Sequence, residues 1–440
     1  MASTAPPQVA IAATGNGGGR YTDYPLAMMA CSVIFFMWGA LTSLNDILIP
    51  HLKALFTLDY KQVMLVQSVF FGAYFLMALP AGKLVERLGF KRGMVAGLTV
   101  AGIGALLFWP AAQWQSYPLF LFAFFVLATG ITVLQVAANP YVALLGPART
   151  GSSRLTLAQT LNSLGTAVAP WAGGLLILSG VMLGADQVAA LPAVQQAAYR
   201  AQQAHSVQMP YLVLAAVLFL LAVFVALFHL PPLAEAGGQA DGRKHTLGDA
   251  LRVPHVAFGV AAIFCYVGAE VAIGSFLINY IAQPDIGGIT EQQASRYVSF
   301  YWTGAMIGRF FGTFLLAWLN PRRLLAVFAA IAGLLVLTSM LSQGHVAMYS
   351  IVAVGLFNSI MFPTIFALGI ERLGPLTDKA SSLLIMAIVG GAVIPWLQGV
   401  LADHLGVHHA FVLPVLCYAF ILFYGLRGSK IREADAASPR

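Results

Sequence analysis

The chain has 440 residues, 59% of them hydrophobic and only 9% charged, with a formal net charge of +7. Soluble domains carry about 25% charged residues, so a water-soluble fold would have no surface to present. The three cysteines (Cys31, Cys265 and Cys417) are scattered through apolar segments without ligand or disulfide spacing, and the absence of a Gly-rich phosphate cradle after a strand argues against ATP as a driving force.

Residues 1–23 are small, polar and Gly-rich, and read as a disordered tail. They carry no cleavable signal peptide, because the apolar stretch that follows is too long for an h-region. A membrane-crossing helix needs about 20 apolar residues. Cutting the chain at charges and Gly/Pro clusters predicts twelve of them, near 25–54, 60–88, 92–112, 117–146, 153–182, 208–231, 254–283, 293–318, 321–341, 345–373, 378–403 and 408–427. The alternating ten-residue segments of a membrane β-barrel are absent. The expected fold class is therefore an all-α membrane protein with twelve transmembrane helices. Residues 24–231 and 254–427 form two six-helix bundles, joined by the polar linker 232–253 and followed by a tail at 428–440.

Lys and Arg set the orientation. With the N-terminus in the cytoplasm, eighteen of the 23 fall on the inner side, in clusters such as Lys83/Arg87/Lys91/Arg92, Arg149/Arg154 and Arg322/Arg323. Four (Lys53, Lys61, Arg200 and Arg296) fall outside, and Arg309 lies within a span. This satisfies the positive-inside rule and places both tails in the cytoplasm. It also explains the net positive charge without nucleic acid as a partner; the partner of this surface is the lipid bilayer.

Two acids interrupt the apolar spans, Asp46 in the first and Glu270 in the seventh. An ionisable group inside the membrane is expensive and marks a functional site by default. A carboxyl group sheltered from water favours its neutral form, the property a proton carrier needs. Interruptions also recur at matching places in the two halves. Asn139-Pro140 in the fourth span answers Phe362-Pro363 in the tenth, and Pro170 in the fifth answers Pro395 in the eleventh. Paired breaks of this kind point to a secondary transporter with its site at the bilayer midplane.

Amides supply the second candidate set. Gln159 and Asn162 are three apart and share a helix face. With Gln135 and Asn139 they would line a cleft suited to a ring of hydroxyls, since an amide both donates and accepts. Asn358 and Gln398 could join from the other half. Trp38, Tyr266 and Trp302 are candidates for stacking on a sugar face. Asp403, His404, His408 and His409 cluster in the last outer loop and read as a polar loop; no metal site is expected.

Gly82-Lys83-Leu84-Val85-Glu86-Arg87-Leu88-Gly89-Phe90-Lys91-Arg92 fits G-x-x-x-[DE]-R-x-G-x-[KR]-[KR], and resembles the loop between helices two and three of the major facilitator superfamily. The resemblance implies a cytoplasmic gate at Gly82, Glu86, Arg87, Gly89, Lys91 and Arg92, where charge-assisted bonds cross the seam between the halves. Gly312 and Asn320-Pro321-Arg322-Arg323 form a degraded echo after the eighth span. Asn45-Asp46-Ile47-Leu48-Ile49-Pro50, Ala137-Ala138-Asn139-Pro140, Leu157 through Ser163 and Pro363-Thr364-Ile365-Phe366 are similar to the fucose–galactose–glucose:proton symporters within that superfamily. Ser206 through Tyr211, Tyr266 through Phe276 and Asn358 through Pro363 resemble its bacterial glucose/galactose transporter branch.

That resemblance implies no enzyme and no cofactor, but cation-coupled import of a hexose across a bacterial inner membrane by a protein functional as a monomer. It implies proton coupling at Asp46, and beside it the polar residues Asn45, Gln135, Asn139, Gln159, Asn162, Glu270 and Asn358 are the expected sugar contacts. Two departures stand out. Gln135 occupies a position where the fucose symporters carry glutamate, and Glu270 one where they carry glutamine, so acid and amide are exchanged between halves. Thr42, Ser43 and Phe362 also depart, which puts fucose itself in doubt as substrate. Glu270 could then bind a sugar hydroxyl or a cation, with Arg309 as counter-ion. Sodium stays open beside the proton, using Glu270, Asp46 and carbonyls freed near Asn139-Pro140. An exporter on the same fold is the remaining rival; a membrane enzyme or receptor has no motif in its favour.

Overall fold

The computed structural model describes residues 23–56, 60–177, 191–231, 233 and 245–431, and every regular element among them is helical. A bilayer core offers no water to the backbone, so an apolar run must close its hydrogen bonds within itself. The helices are α1 (Asp23–Phe56), α2 (Tyr60–Gln113), α3 (Tyr117–Leu144), α4 (Gly151–Ile177), α5 (Ala193–Leu227), α6 (Leu247–Arg252), α7 (Pro254–Ile281), α8 (Glu291–Trp318) and α9 (Pro321–Leu341). There follow α10 (Gly344–Asn358), α11 (Met361–Gly369), α12 (Thr377–Met386), α13 (Gly390–Leu405), α14 (Val407–Ala410) and α15 (Val412–Phe423). Nine described stretches are long and apolar enough to cross a membrane.

The expected spans differ from these elements in instructive ways. The second and third spans are joined in α2, and the break expected at 88–92 contracts to one residue, Gly89, at φ 77° and ψ 165°. Glycine enters that left-handed region without a Cβ clash. α5 begins well before the expected 208, because the polar run from residue 193 continues the helix. The expected linker contains α6, held by a capping box in which Thr246 and Asp249 bond each other's backbone N–H. The tenth span is two helices, α10 and α11, parted at Ser359–Ile360. The eleventh is α12 and α13 with a tight turn at Ala387–Val389 between them, and the twelfth is α14 and α15 closed by a wide turn at Tyr424–Gly428. The expected N-terminal tail, apart from Asp23 at the start of α1, lies outside the described residues.

Packing repeats between the halves of the chain. α1 lies on α4 so closely that a Cβ on Gly39 would strike the Asn162 carbonyl, and one on Gly165 the Phe36 carbonyl. α7 lies on α13 with Gly390 against the Phe264 carbonyl and Gly268 against Ile394. Lipid offers helices no hydrophobic incentive to associate, so small residues that admit backbone approach do much of the work. The two halves meet where α4 packs on α8 and where α12 packs on α2 and α3.

Candidate functional site

A cavity of about 210 Å³ lies between the halves. Roughly 300–1,000 Å³ is usual for drug-sized ligands, so this one suits a single small molecule. The N-terminal half contributes Trp38 and Thr42 from α1, Phe70, Phe71 and Tyr74 from α2, Gln135 from α3 and Gln159 from α4. The C-terminal half contributes Tyr266, Val267 and Glu270 from α7, Arg309 from α8, Phe362 and Pro363 from α11, and Ile388. Flat aromatic faces thus alternate with two amides and one charged pair.

Gln135 is 2% exposed and its Nε2 donates to the Tyr74 hydroxyl at 2.7 Å. Its Oε1 has no hydrogen-bond partner among the described residues. The bond to Tyr74 orients the amide and leaves the acceptor for a ligand hydroxyl. Glu270 is 8% exposed, and its Oε1 stands 3.6 Å from Arg309 Nη2. Tyr301, itself fully buried, donates its hydroxyl to the Glu270 backbone carbonyl at 3.3 Å.

Proline explains the polar contacts around this cavity. A proline inside a helix lacks the N–H that would serve the carbonyl four residues earlier. Pro140 in α3 so frees the Val136 carbonyl, and Ser381 of α12 donates to it at 3.1 Å from the opposite half. Pro363 in α11 frees the Ser359 carbonyl, and Arg309 Nε donates to it at 3.3 Å. Arg309 also donates through Nη1 to the Ser163 hydroxyl on α4. One guanidinium therefore joins the Glu270 carboxylate, a broken helix and the other half of the molecule.

Further contacts close the seam at the end carrying the Gly82–Arg92 turn. Glu86 pairs with Lys379 across the halves, Ser153 donates to the Thr313 carbonyl at 2.7 Å, and Gly82 leaves no room for a Cβ against Ser382. Arg87 and Arg92 are exposed, and Arg87 makes no ion pair with a described residue. The echo in the other half is wired differently. Asn320 caps α9, while Arg322 pairs with Glu371 of the same half at 2.5 Å.

The structure separates the amides that looked alike in sequence. Gln135 and Gln159 line the cavity. Asn139 is fully buried one turn along α3 from Gln135, and neither atom of its amide has a partner among the described residues. Asn162 instead donates to the Phe35 carbonyl at 3.0 Å and ties α4 to α1. Asn358 is held on both sides, donating to the Tyr301 hydroxyl and accepting from Tyr418, each at 2.7 Å. Gln398 is fully buried away from the cavity lining, and Trp302 is 43% exposed outside it. Asn45 and Asp46 lie on α1, but their side chains are outside the described residues. The carbonyl that Pro140 frees, expected as a cation ligand, is occupied by Ser381. Sequence reasoning missed Tyr74, Phe70, Phe71, Ser163 and Ser381. For Tyr74 a signal existed, a phenol in the middle of an apolar run.

Residues 29–388 match the model of the Major Facilitator Superfamily. The glucose/galactose transporter of Brucella abortus is 49% identical over 408 residues, covering 93% of this chain and 95% of that protein. The L-fucose-proton symporter of Escherichia coli is 38% identical over 414 residues, covering 93% and 94%. Among solved structures, a Major Facilitator Superfamily transporter, FucP, in the outward conformation superposes with a TM-score of 0.87 at 38% identity, covering 93% of this chain and all of that one.

Proposed function

The chain belongs to the Major Facilitator Superfamily, and from that premise we propose that it is a multi-pass sugar:proton symporter. It carries a hexose of the glucose/galactose class inward by rocking two halves about the central cavity. The observation that carries this reading is the central cavity walled by both halves, with aromatic faces for the C–H surface of a sugar and Gln135, Gln159 and Glu270 for its hydroxyls. An exporter would favour a wholly apolar, promiscuous pocket, whereas here two amides and a buried charge pair interrupt the aromatic wall. Relatives named for glucose and galactose support the hexose, and one named as a proton symporter supports the proton.

The basic turns support a closed seam on the cytoplasmic face of a bacterial inner membrane, with both termini on that side. The conformation is then outward-facing. Asn45, Asn139 and Asp46 belong to the proposed sugar and proton machinery on the strength of sequence. Asn162 and Asn358, bonded to protein groups, support the site as scaffolding. The cavity forms within one chain, so a monomer suffices.

Inward movement of one positive charge gains about 2.3 kcal/mol per 100 mV, which is the drive available for accumulation. The test is uptake into proteoliposomes with a hexose panel, imposing a pH gradient and a sodium gradient separately. The expected outcome is glucose or galactose accumulation under the pH gradient alone, with Asp46→Asn retaining exchange but losing accumulation. Accumulation driven only by sodium, or unchanged in Asp46→Asn, would overturn the coupling scheme.

A further inference from the structure

A second cavity, of about 350 Å³, opens at the end of the molecule that carries the basic turns. Its walls belong to both halves. Arg149 comes from the α3–α4 connection and Ser152 from the first turn of α4, Trp318 from the end of α8, Asn320 and Arg322 from the start of α9 and its cap, and Glu371 and Arg372 from the segment after α11. The charges in this lining are unbalanced, three arginines against one acid. The acid is already engaged, because Glu371 accepts from Arg322 at 2.5 Å. Arg149 and Arg372 are exposed, and neither makes an ion pair with a described residue.

Three further features suit this cleft to an anion. The first turns of α4 and α9 both line it, adding the positive ends of two helix dipoles, with the Arg322 and Arg323 N–H groups of α9 already capped by Asn320. Ser152 is 4% exposed, yet its hydroxyl makes no hydrogen bond with a described residue. Arg372 is held at φ 58°, a left-handed conformation unusual for arginine, at the cleft wall. Trp318, 88% exposed at the rim, marks the headgroup layer, where tryptophan concentrates.

We propose that this cleft binds a phosphate-bearing anion, supplied by the headgroup of an anionic phospholipid in the adjoining leaflet. Basic pockets between transmembrane helices recognise such headgroups. Because the walls belong to different halves, the bound phosphate bridges them. Rocking the halves apart at this end would pull Arg149 from Arg372 and lose the ligand. The lipid therefore favours the state in which this end is closed, by its differential affinity for the two states.

Native mass spectrometry of the full chain with phosphatidylglycerol, with phosphatidylcholine and with inorganic phosphate tests this directly, without any transport readout. Wild type should retain phosphatidylglycerol in preference to phosphatidylcholine. The Arg149→Gln/Arg372→Gln double variant should weaken that retention about thirty-fold, from roughly fivefold per arginine. Arg323→Gln, which removes an exposed charge at the same end but outside the cleft lining, should change it less than about twofold. Ser152→Ala keeps every charge and should still lower retention, which guards against misfolding of the double variant. Displacement of phosphatidylglycerol by millimolar inorganic phosphate would support the phosphate chemistry while assigning it to a soluble source. Equal retention of both lipids together with no phosphate binding would overturn the site, as would a loss in Arg323→Gln matching that of the double variant.

Discussion

α3 and α11 carry the same sequence device and use it differently. Pro140 inside α3 and Pro363 in the first turn of α11 each leave the carbonyl four residues earlier without a helical donor. In α3 that carbonyl, on Val136, is served by the neutral hydroxyl of Ser381 from the opposite half. Ahead of α11 the carbonyl, on Ser359 in the turn from α10, is served by the charged guanidinium of Arg309, which also holds Glu270 and reaches Ser163 across the seam. The difference teaches where the molecule concentrates its electrostatics. Among the described residues, the N-terminal half presents a neutral wall to the cavity, and the C-terminal half presents a charge pair that any motion of the halves must rearrange.

If that contrast is right, the charged junction should be the costlier one to damage. Arg309→Met leaves Glu270 buried without its partner, and should destabilise the protein by about 3–5 kcal/mol. A thermal melt in detergent would show a large drop, and adding Glu270→Gln should recover much of it. A wild-type melt for Arg309→Met would erase the distinction between the halves.

Ser381→Ala tests the neutral junction. It should cost about 1–3 kcal/mol of the closed seam by leaving the Val136 carbonyl unsatisfied. Labels at exposed positions 87 and 323 would report a wider distance distribution. Pro140→Ala restores a helical donor to Val136, so the double variant should lose less than the sum of the singles, a coupling of roughly 0.5 kcal/mol or more. Strict additivity would mean that the freed carbonyl is not what Ser381 serves.

Gln135→Ala sharpens the picture on the ligand side. A neutral hydrogen bond contributes about 0.5–1.5 kcal/mol, so the Michaelis constant for hexose should rise roughly two- to tenfold, with a modest drop in the melt because the Tyr74 hydroxyl loses its partner. An unchanged constant would move the sugar away from α3. Glu86→Gln should have the smallest effect, about 0–1 kcal/mol, because its carboxylate is 46% exposed and solvent screens its pair with Lys379. That effect should shrink further with added salt.

Part of this was legible in the chain and part was not. Glu270 and Arg309 announce themselves, because charges in apolar spans have few tolerable settings. Gln135, Gln159, Asn162 and Asn358 cannot be ranked by the same reasoning. Each is an amide in an apolar helix, yet two line the cavity and two are tied to a backbone carbonyl and to tyrosines. The breaks at Ser359–Ile360 and Ala387–Val389 also escape hydropathy, because the residues on both sides remain apolar. Ser163 and Ser381 look like ordinary small residues until their partners on distant helices are known.

The helical membrane architecture and its orientation follow from the sequence alone, because both rest on local quantities: the length of apolar runs and the side on which Lys and Arg accumulate. Which polar groups converge, and which merely hold helices together, was decided only by tertiary structure. A hydrogen bond needs its partner within about 3 Å, and here that partner lies on another helix, often in the other half of the chain.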